Sequence, residues 1–331
     1  MQNARAARCL AWSLPGLSWA LLLTAQPAHA DAALPEPTPA AREAEGWHEA
    51  LLDRVAADLR AGRPLVAEVH VALCSNNVLT CGGHGLGAGG DLTRNLYWAT
   101  SGGFRGWFDR KGSGWARAAR TAGNAAAELE VAVWHRRVTP GAVWRRRGVR
   151  APFDVYVVAS AWNGDAPDDA IGAYLADLYG VAPRVVRLDD GSFIDAGGAA
   201  QLVSYVGHDR FMDYDNGVDW SAIESRAPRG APTKGTVVMA CKTAQWLGGT
   251  IPSPARVPLL MTRDFVFAGA HAFDGALDAF TRGAGLAAIR ESAAHAYATG
   301  QGTSFDRVQS VFTNPSHRRW LPGRASARPE H

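Results

Sequence analysis

The stretch LVSYVGHDRFMD places a histidine, His208, directly behind an apolar run with strand character, Leu202 to Val206, and then gives way to charge. A second run, TVVMAC, ends on a thiol, Cys241, 33 residues later. That interval holds one loop, a short helix or turn and a return strand, so neighbouring parallel strands would bring both side chains to one sheet edge. In an open α/β sheet, functional residues gather beyond the carboxyl ends of the strands, where loops leave and a crevice opens. An imidazole beside a thiol lowers its pKa from the ordinary value of about 8.5, and the same ring can then protonate a leaving amine. Backbone N–H groups where a strand breaks into a loop are natural oxyanion donors, and the Asp209 N–H is the candidate here. Lys242 either supports the thiolate or is simply solvated.

Asp209, Asp213 and Asp215 follow the histidine and either orient it, recognise a basic substrate group or solvate a loop. Asn163 and Gly164, after VVASAW, sit at another strand end beside the same expected crevice. Asp195 reads as a turn residue before it reads as a partner. Each member of the pair also has an ordinary explanation, since a strand-end cysteine is usually a small buried hydrophobe and a lone histidine is usually structural. The matched strand ends are what point to chemistry.

The elements that must position these residues follow from periodicity. AREAEGWHEALLDRVAADLR (41 to 60) has apolar residues at helical spacing and should stop near Gly62-Arg63-Pro64. LVAEVHVAL (65 to 73) reads as a buried strand that adds to the sheet. ELEVAVWHRRV and AVWRRRGV, with Pro140-Gly141 between them, read as a hairpin decorating one edge. Their arginines form the solvent face of that hairpin, or a basic contact site. From residue 153 onward, apolar β-branched runs alternate with amphipathic helices, which predicts a mostly parallel central sheet with helices on both faces.

Residues 1–30 have the pattern of a signal peptide: Arg5 and Arg8, an apolar run, then Ala28-His29-Ala30. A Pro/Ala-rich linker follows over 31–42, and a single α/β domain is expected over 43–325. The reading is a periplasmic or secreted protein with no stable membrane insertion after signal removal. A formal charge of +3 gives no case for nucleic acid. Of four cysteines, Cys9 would leave with the signal; Cys74 and Cys81 are close enough to bridge in an oxidising compartment, leaving Cys241 free.

Three further patterns bear on chemistry. His70, Cys74, Cys81 and His84 include zinc-ligand types, but their spacing fits no standard finger. GGHGLGAGG has nucleotide-loop glycine spacing without the P-loop lysine or a helix after it. Tyr97, Trp98, Phe104, Trp107, Phe108 and Trp115 could form an aromatic platform for glycan or peptide, or pack a long loop onto the sheet.

The order of a strand ending in His208, a strand ending in Ala240-Cys241, a further apolar strand, and then AHAFDGALDAFTRG resembles the caspase/gingipain-type cysteine peptidases of the caspase-haemoglobinase fold. The resemblance covers about residues 150–285. It implies a caspase-like core, with His208 as base or acid and Cys241 as nucleophile acting on peptide or protein substrates. Asp209, Asp213 and Asn163 would serve as oxyanion or substrate-binding residues, and neither metal nor organic cofactor is implied. Glycine precedes the histidine here, where that family usually has it after. The N-terminal part, HVALCSNN through NLYWATSGGFRGWF, is similar to an uncharacterised group of secreted bacterial proteins. The expectation is therefore an exported cysteine-dependent hydrolase. The alternative is a non-catalytic peptide- or glycan-binding protein on the same scaffold.

Overall fold

A computed structural model describes residues 39–213 and 217–320. The expected signal segment, most of the linker, Asp215 and the polar tail beyond Trp320 lie outside the described residues. In chain order the elements are α1 (Pro39–Arg60), β1 (Leu65–Ala72), α2 (Phe104–Phe108), β2 (Ala116–Ala122), β3 (Glu128–Val138), α3 (Ala142–Arg146) and β4 (Phe153–Trp162). Next come α4 (Pro167–Leu178), β5 (Pro183–Arg187), β6 (Phe193–Gly197), β7 (Leu202–Val206), α5 (Trp220–Ser225) and β8 (Lys234–Met239). The chain continues through α6 (Thr243–Trp246), β9 (Arg256–Thr262), α7 (Ala270–Thr281), α8 (Leu286–Gly300), α9 (Phe305–Val308) and β10 (Phe312–Thr313).

Eight strands form one sheet in the order β10-β9-β8-β7-β1-β4-β3-β2. The five from β9 to β4 run parallel, while β10, at one edge, and β3 and β2, at the other, pair antiparallel. β5 and β6 form a separate antiparallel pair. The sheet is thus mixed, mostly parallel and covered on both faces.

Alternation along β1 explains the layering, because successive side chains point to opposite faces. Leu65, Ala67, Val69 and Val71 face a core built with α1, α7 and α8, including Leu51, Phe273, Phe280 and Ile289. Val66 and Ala72 face the other core, built with α4 and including Ile171, Tyr174 and Leu175. Fully burying a side chain of this size contributes about 1.5–3 kcal/mol. No described helix is long and apolar enough to cross a membrane.

The strand at 65–72 is buried and joins the sheet as expected, and its place is at the centre, between β4 and β7. The hairpin expectation is corrected, since β3 pairs with β2, while AVWRR forms the short helix α3. Trp144 drives that choice, being fully buried with its Nε1–H donating to the Thr281 carbonyl at 2.6 Å. A single helical turn after Gly141 delivers the indole there and leaves Arg145 and Arg146 at the surface.

Candidate functional site

The strand order reverses direction around β1. β4 follows β1 on one side, and β7, β8 and β9 follow in turn on the other. Such a reversal opens a crevice beyond the carboxyl ends of the strands. β7 and β8 are neighbours, in parallel register from Leu202↔Gly235 to Val206↔Met239. His208 and Cys241 therefore leave the same sheet edge, two residues past that last pair.

The chemistry expected of them is not what the structure holds. His208 Nε2 is 2.7 Å from Asp213 Oδ2. The Cys241 thiol instead donates to the Val266 carbonyl at 3.7 Å. Burial pushes the thiol pKa up; the Val266 contact and Lys242 lower it too little to offset burial and the nearby Asp209. A nucleophilic cysteine needs the opposite shift. Lys242, in the left-handed region at φ 55°, has its ammonium 4.3 Å from the centre of the Phe265 ring. Among the described residues no free Cys–His catalytic dyad is formed, and the cysteine-peptidase reading is overturned.

The other two cysteines are joined as the Cys74–Cys81 disulfide, as expected from their spacing. That removes the H-x3-C-x6-C-x2-H array as a zinc site. His70 turns instead toward α4, where its Nε2 lies 2.8 Å from Asp177 Oδ2 and its Nδ1 accepts from Trp162 Nε1–H at 3.2 Å. An indole N–H only donates, so Nδ1 is the acceptor and Nε2 carries the proton.

Beside His70, Glu68 and Asp177 complete a buried trio whose ligand-type atoms lie within 4.8 Å of one another. These atoms are already committed. Glu68 is paired with Arg184 and accepts from the Gly197 N–H at 2.8 Å, while Arg184 also reaches Glu128 at 2.9 Å and Ser160 at 2.9 Å. Burial opposes the Arg184 charge, but Glu68, Glu128 and Asp177 hold its pKa above the ordinary value. The group is a salt-bridged polar network between sheet and α4, built on Glu68 and His70, which alternate with the apolar side of β1.

The crevice itself has a volume of about 740 Å³ and is lined by Asn77, Asp165, Asp168, Asp169, Arg210 and Asp213, among others. Asn163, expected to bind substrate, shapes the crevice from outside: its Oδ1 accepts from the Asp165 N–H at 3.0 Å. Asp165 is further held by Ser75 and by Asn77 Nδ2–H at 2.9 Å. Gly164 has to be glycine because an added Cβ would lie 2.2 Å from the Leu73 carbonyl oxygen. The glycine-rich loop supports this wall, with Gly89 accepting from the Gly164 N–H at 2.9 Å.

Arg210 bridges Asp168 and Asp213 at 2.9 and 2.7 Å. Burial alone would raise the Asp213 pKa, yet His208 and Arg210 bring it below the usual value. The Asp169 backbone N–H donates to the Ala166 carbonyl at 3.2 Å, but its carboxylate is exposed and has no hydrogen-bond or ion-pair partner among the described residues. Four carboxylates thus meet one guanidinium and one imidazole, leaving the crevice negative.

Asp209 lies behind this wall with 1% exposure. Its Oδ1 accepts from the Phe211 N–H at 3.1 Å, whereas Oδ2 has no hydrogen-bond partner among the described residues. Burial pushes its pKa up to about 7, with Asp213 adding to the shift. Asp195 is elsewhere, on β6.

Asp165, Asp168, Asp169 and Arg210 were not singled out from the sequence. The available signal was NGDAPDDA directly after a strand, but acidic residues in a first helical turn are also what the helix dipole favours. The aromatic platform is overturned as well. Trp98, Phe104 and Phe108 are fully buried, while Trp107 and Trp115 donate to the two carboxylate oxygens of Asp274 at 3.0 and 3.1 Å. Comparison with known proteins finds no matching family model, no matching curated protein and no matching solved structure.

Proposed function

We propose that the protein is a non-catalytic peptide-binding protein on a caspase-like scaffold, acting outside the cytoplasm and taking a basic side chain of its ligand into the carboxyl-edge crevice. The observation that carries this reading is the excess of carboxylates in that crevice, with Asp169 exposed and uncommitted. A field of one sign focused in a cleft raises the local concentration of oppositely charged ligands. Adjacent parallel strands β7 and β8, followed two residues past their last pair by His208 and Cys241, support the caspase-like scaffold. The protonated, carbonyl-bonded thiol supports recognition without covalent chemistry. The disulfide supports an oxidising compartment.

Peptide is favoured over glycan because the aromatic side chains that would stack on sugar rings are packed into the core. The test is fluorescence anisotropy of short labelled peptides that differ only in one Lys or Arg replaced by Glu. Binding of the basic members alone, weakening with salt, is expected. Equal binding of both sets, or binding of neither, overturns the proposal.

A further inference from the structure

A second cavity, of about 760 Å³, lies at the opposite end of the strands. It is formed where α1 ends, where β3 ends and β4 begins, and by the start of β6. Four arginines line it, Arg60, Arg63, Arg137 and Arg150, against one carboxylate, Asp154. Between them the walls are apolar or aromatic: Pro64, Pro152, Phe153, Tyr156 and Phe193. Phe193 is 65% exposed, unusual for a side chain of that size, and it stands at this cavity.

The guanidinium groups differ in what already holds them. Arg63 is paired with Asp58, and Arg137 donates to both oxygens of Asp154 at 2.9 and 3.0 Å. His135 Nε2 lies 2.8 Å from the same carboxylate, so Asp154 is occupied from two sides. Arg60 spends one bond on the Arg147 carbonyl and faces no carboxylate partner among the described residues. Arg150 is exposed and has no hydrogen-bond or ion-pair partner there. A guanidinium offers five N–H donors in a planar fork that matches phosphate and carboxylate bidentately.

We propose that this cavity is an anion-binding site for an organic phosphate with an apolar or ring-bearing body. Arg60 and Arg150 hold the phosphate, Arg63 and Arg137, each already paired with a carboxylate, add only N–H donors their pairs leave over, and Phe193, Tyr156 and Phe153 contact the body. An inorganic anion satisfies only the first half of that surface. The proposal is independent of the acidic crevice, which opens at the other sheet edge.

The test is calorimetric titration of the full chain with phenyl phosphate, inorganic phosphate and phenol. In parallel, flotation is measured with phosphatidylglycerol vesicles and with phosphatidylcholine vesicles. The expected result is that phenyl phosphate binds more tightly than inorganic phosphate or phenol, and that raising salt weakens it. Arg150→Gln, at an exposed residue with nothing to lose in folding, should weaken it about tenfold, and Arg60→Gln with Arg150→Gln further. If only phosphatidylglycerol vesicles bind, with the same loss in the variants, the phosphate belongs to a lipid headgroup. If phenyl phosphate binds and vesicles do not, it belongs to a free metabolite-sized ligand. Failure of every phosphate probe, or binding unchanged in Arg150→Gln and in the double variant whose melting matches wild type, overturns the proposal.

Discussion

His208 Nε2 and Asp213 Oδ2 are 2.7 Å apart, and through that pair the imidazole is engaged with the crevice wall. Arg210 donates to the same carboxylate oxygen at 2.7 Å, so the three side chains form one ionic group at the end of β7. The thiol at the end of β8 belongs to a different neighbourhood, that of Val266, Lys242 and Asp209.

Thiol reactivity separates the two roles. Because burial raises the Cys241 pKa, its alkylation by iodoacetamide should rise only at a pH above that at which an ordinary thiol, with a pKa of about 8.5, ionises. His208→Ala should leave the profile unchanged. Rate against pH, with the labelled cysteine located by mass spectrometry, checks this; a plateau near neutral pH that vanishes in His208→Ala would revive an activated nucleophile.

Asp209 and His48 predict opposite pH dependences of stability. The folded pKa of Asp209, about 7, lies above the ordinary carboxylate value, so the folded state binds the extra proton in between. Stability from this group is present below about pH 4 and is lost as pH rises through 7, by up to about 4 kcal/mol. Asp209→Asn should therefore gain melting temperature over wild type as pH rises from 5 to 8. His48, in α1, is buried with neither ring nitrogen bonded among the described residues, and burial lowers its pKa to about 4. The unfolded chain protonates it first, so stability falls as pH drops from about 6.5 to 4, by roughly 3 kcal/mol. His48→Leu should flatten that acid limb, as melts across the same range would show.

Arg184 ties Glu68 and Glu128 together beneath the sheet. Arg184→Met leaves both carboxylates without their cation and should cost about 3–5 kcal/mol in urea unfolding at pH 7. A loss under 1 kcal/mol would mean that the network is solvated.

Much of the scaffold was legible because its signals are local. The α1 helix shows as apolar residues at helical spacing, and β4, β7, β8 and β9 show as apolar β-branched runs. β2 was not legible, since ARAARTA has little strand propensity and is a strand because β3 pairs with it. The central place of β1 depends on pairing order, which local pattern does not encode. At the site, sequence located both strand ends but not the partners of His208 and Cys241, which loop conformation decides. The carboxylates of α4 were obscured because Asp168 and Asp169 also suit a helix start.

The Cys74–Cys81 bridge closes a short loop that carries Asn77 to the crevice, while Asn76 bonds Cys81 and Gly82 within the loop. Loop-closure entropy for so small a ring predicts about 2 kcal/mol of stability. Cys74→Ser with Cys81→Ser should lose that amount and weaken crevice binding as well, because Asn77 no longer holds Asp165. Denaturant melts and peptide titrations on the same sample read both effects.

The most direct measurement is the affinity of one Lys- or Arg-containing peptide for wild type, Asp169→Asn and Asp169→Lys at fixed low salt. Asp169 is exposed at the crevice, so Asp169→Asn should stay close to the wild-type melting temperature, while Asp169→Lys gives up the favourable charge in the first turn of α4 and should melt a few degrees lower. A several-fold loss is expected in Asp169→Asn, a larger loss in Asp169→Lys, and no comparable loss in Arg150→Gln at the far edge. Equal affinity for wild type and both Asp169 variants would contradict the crevice as the binding site.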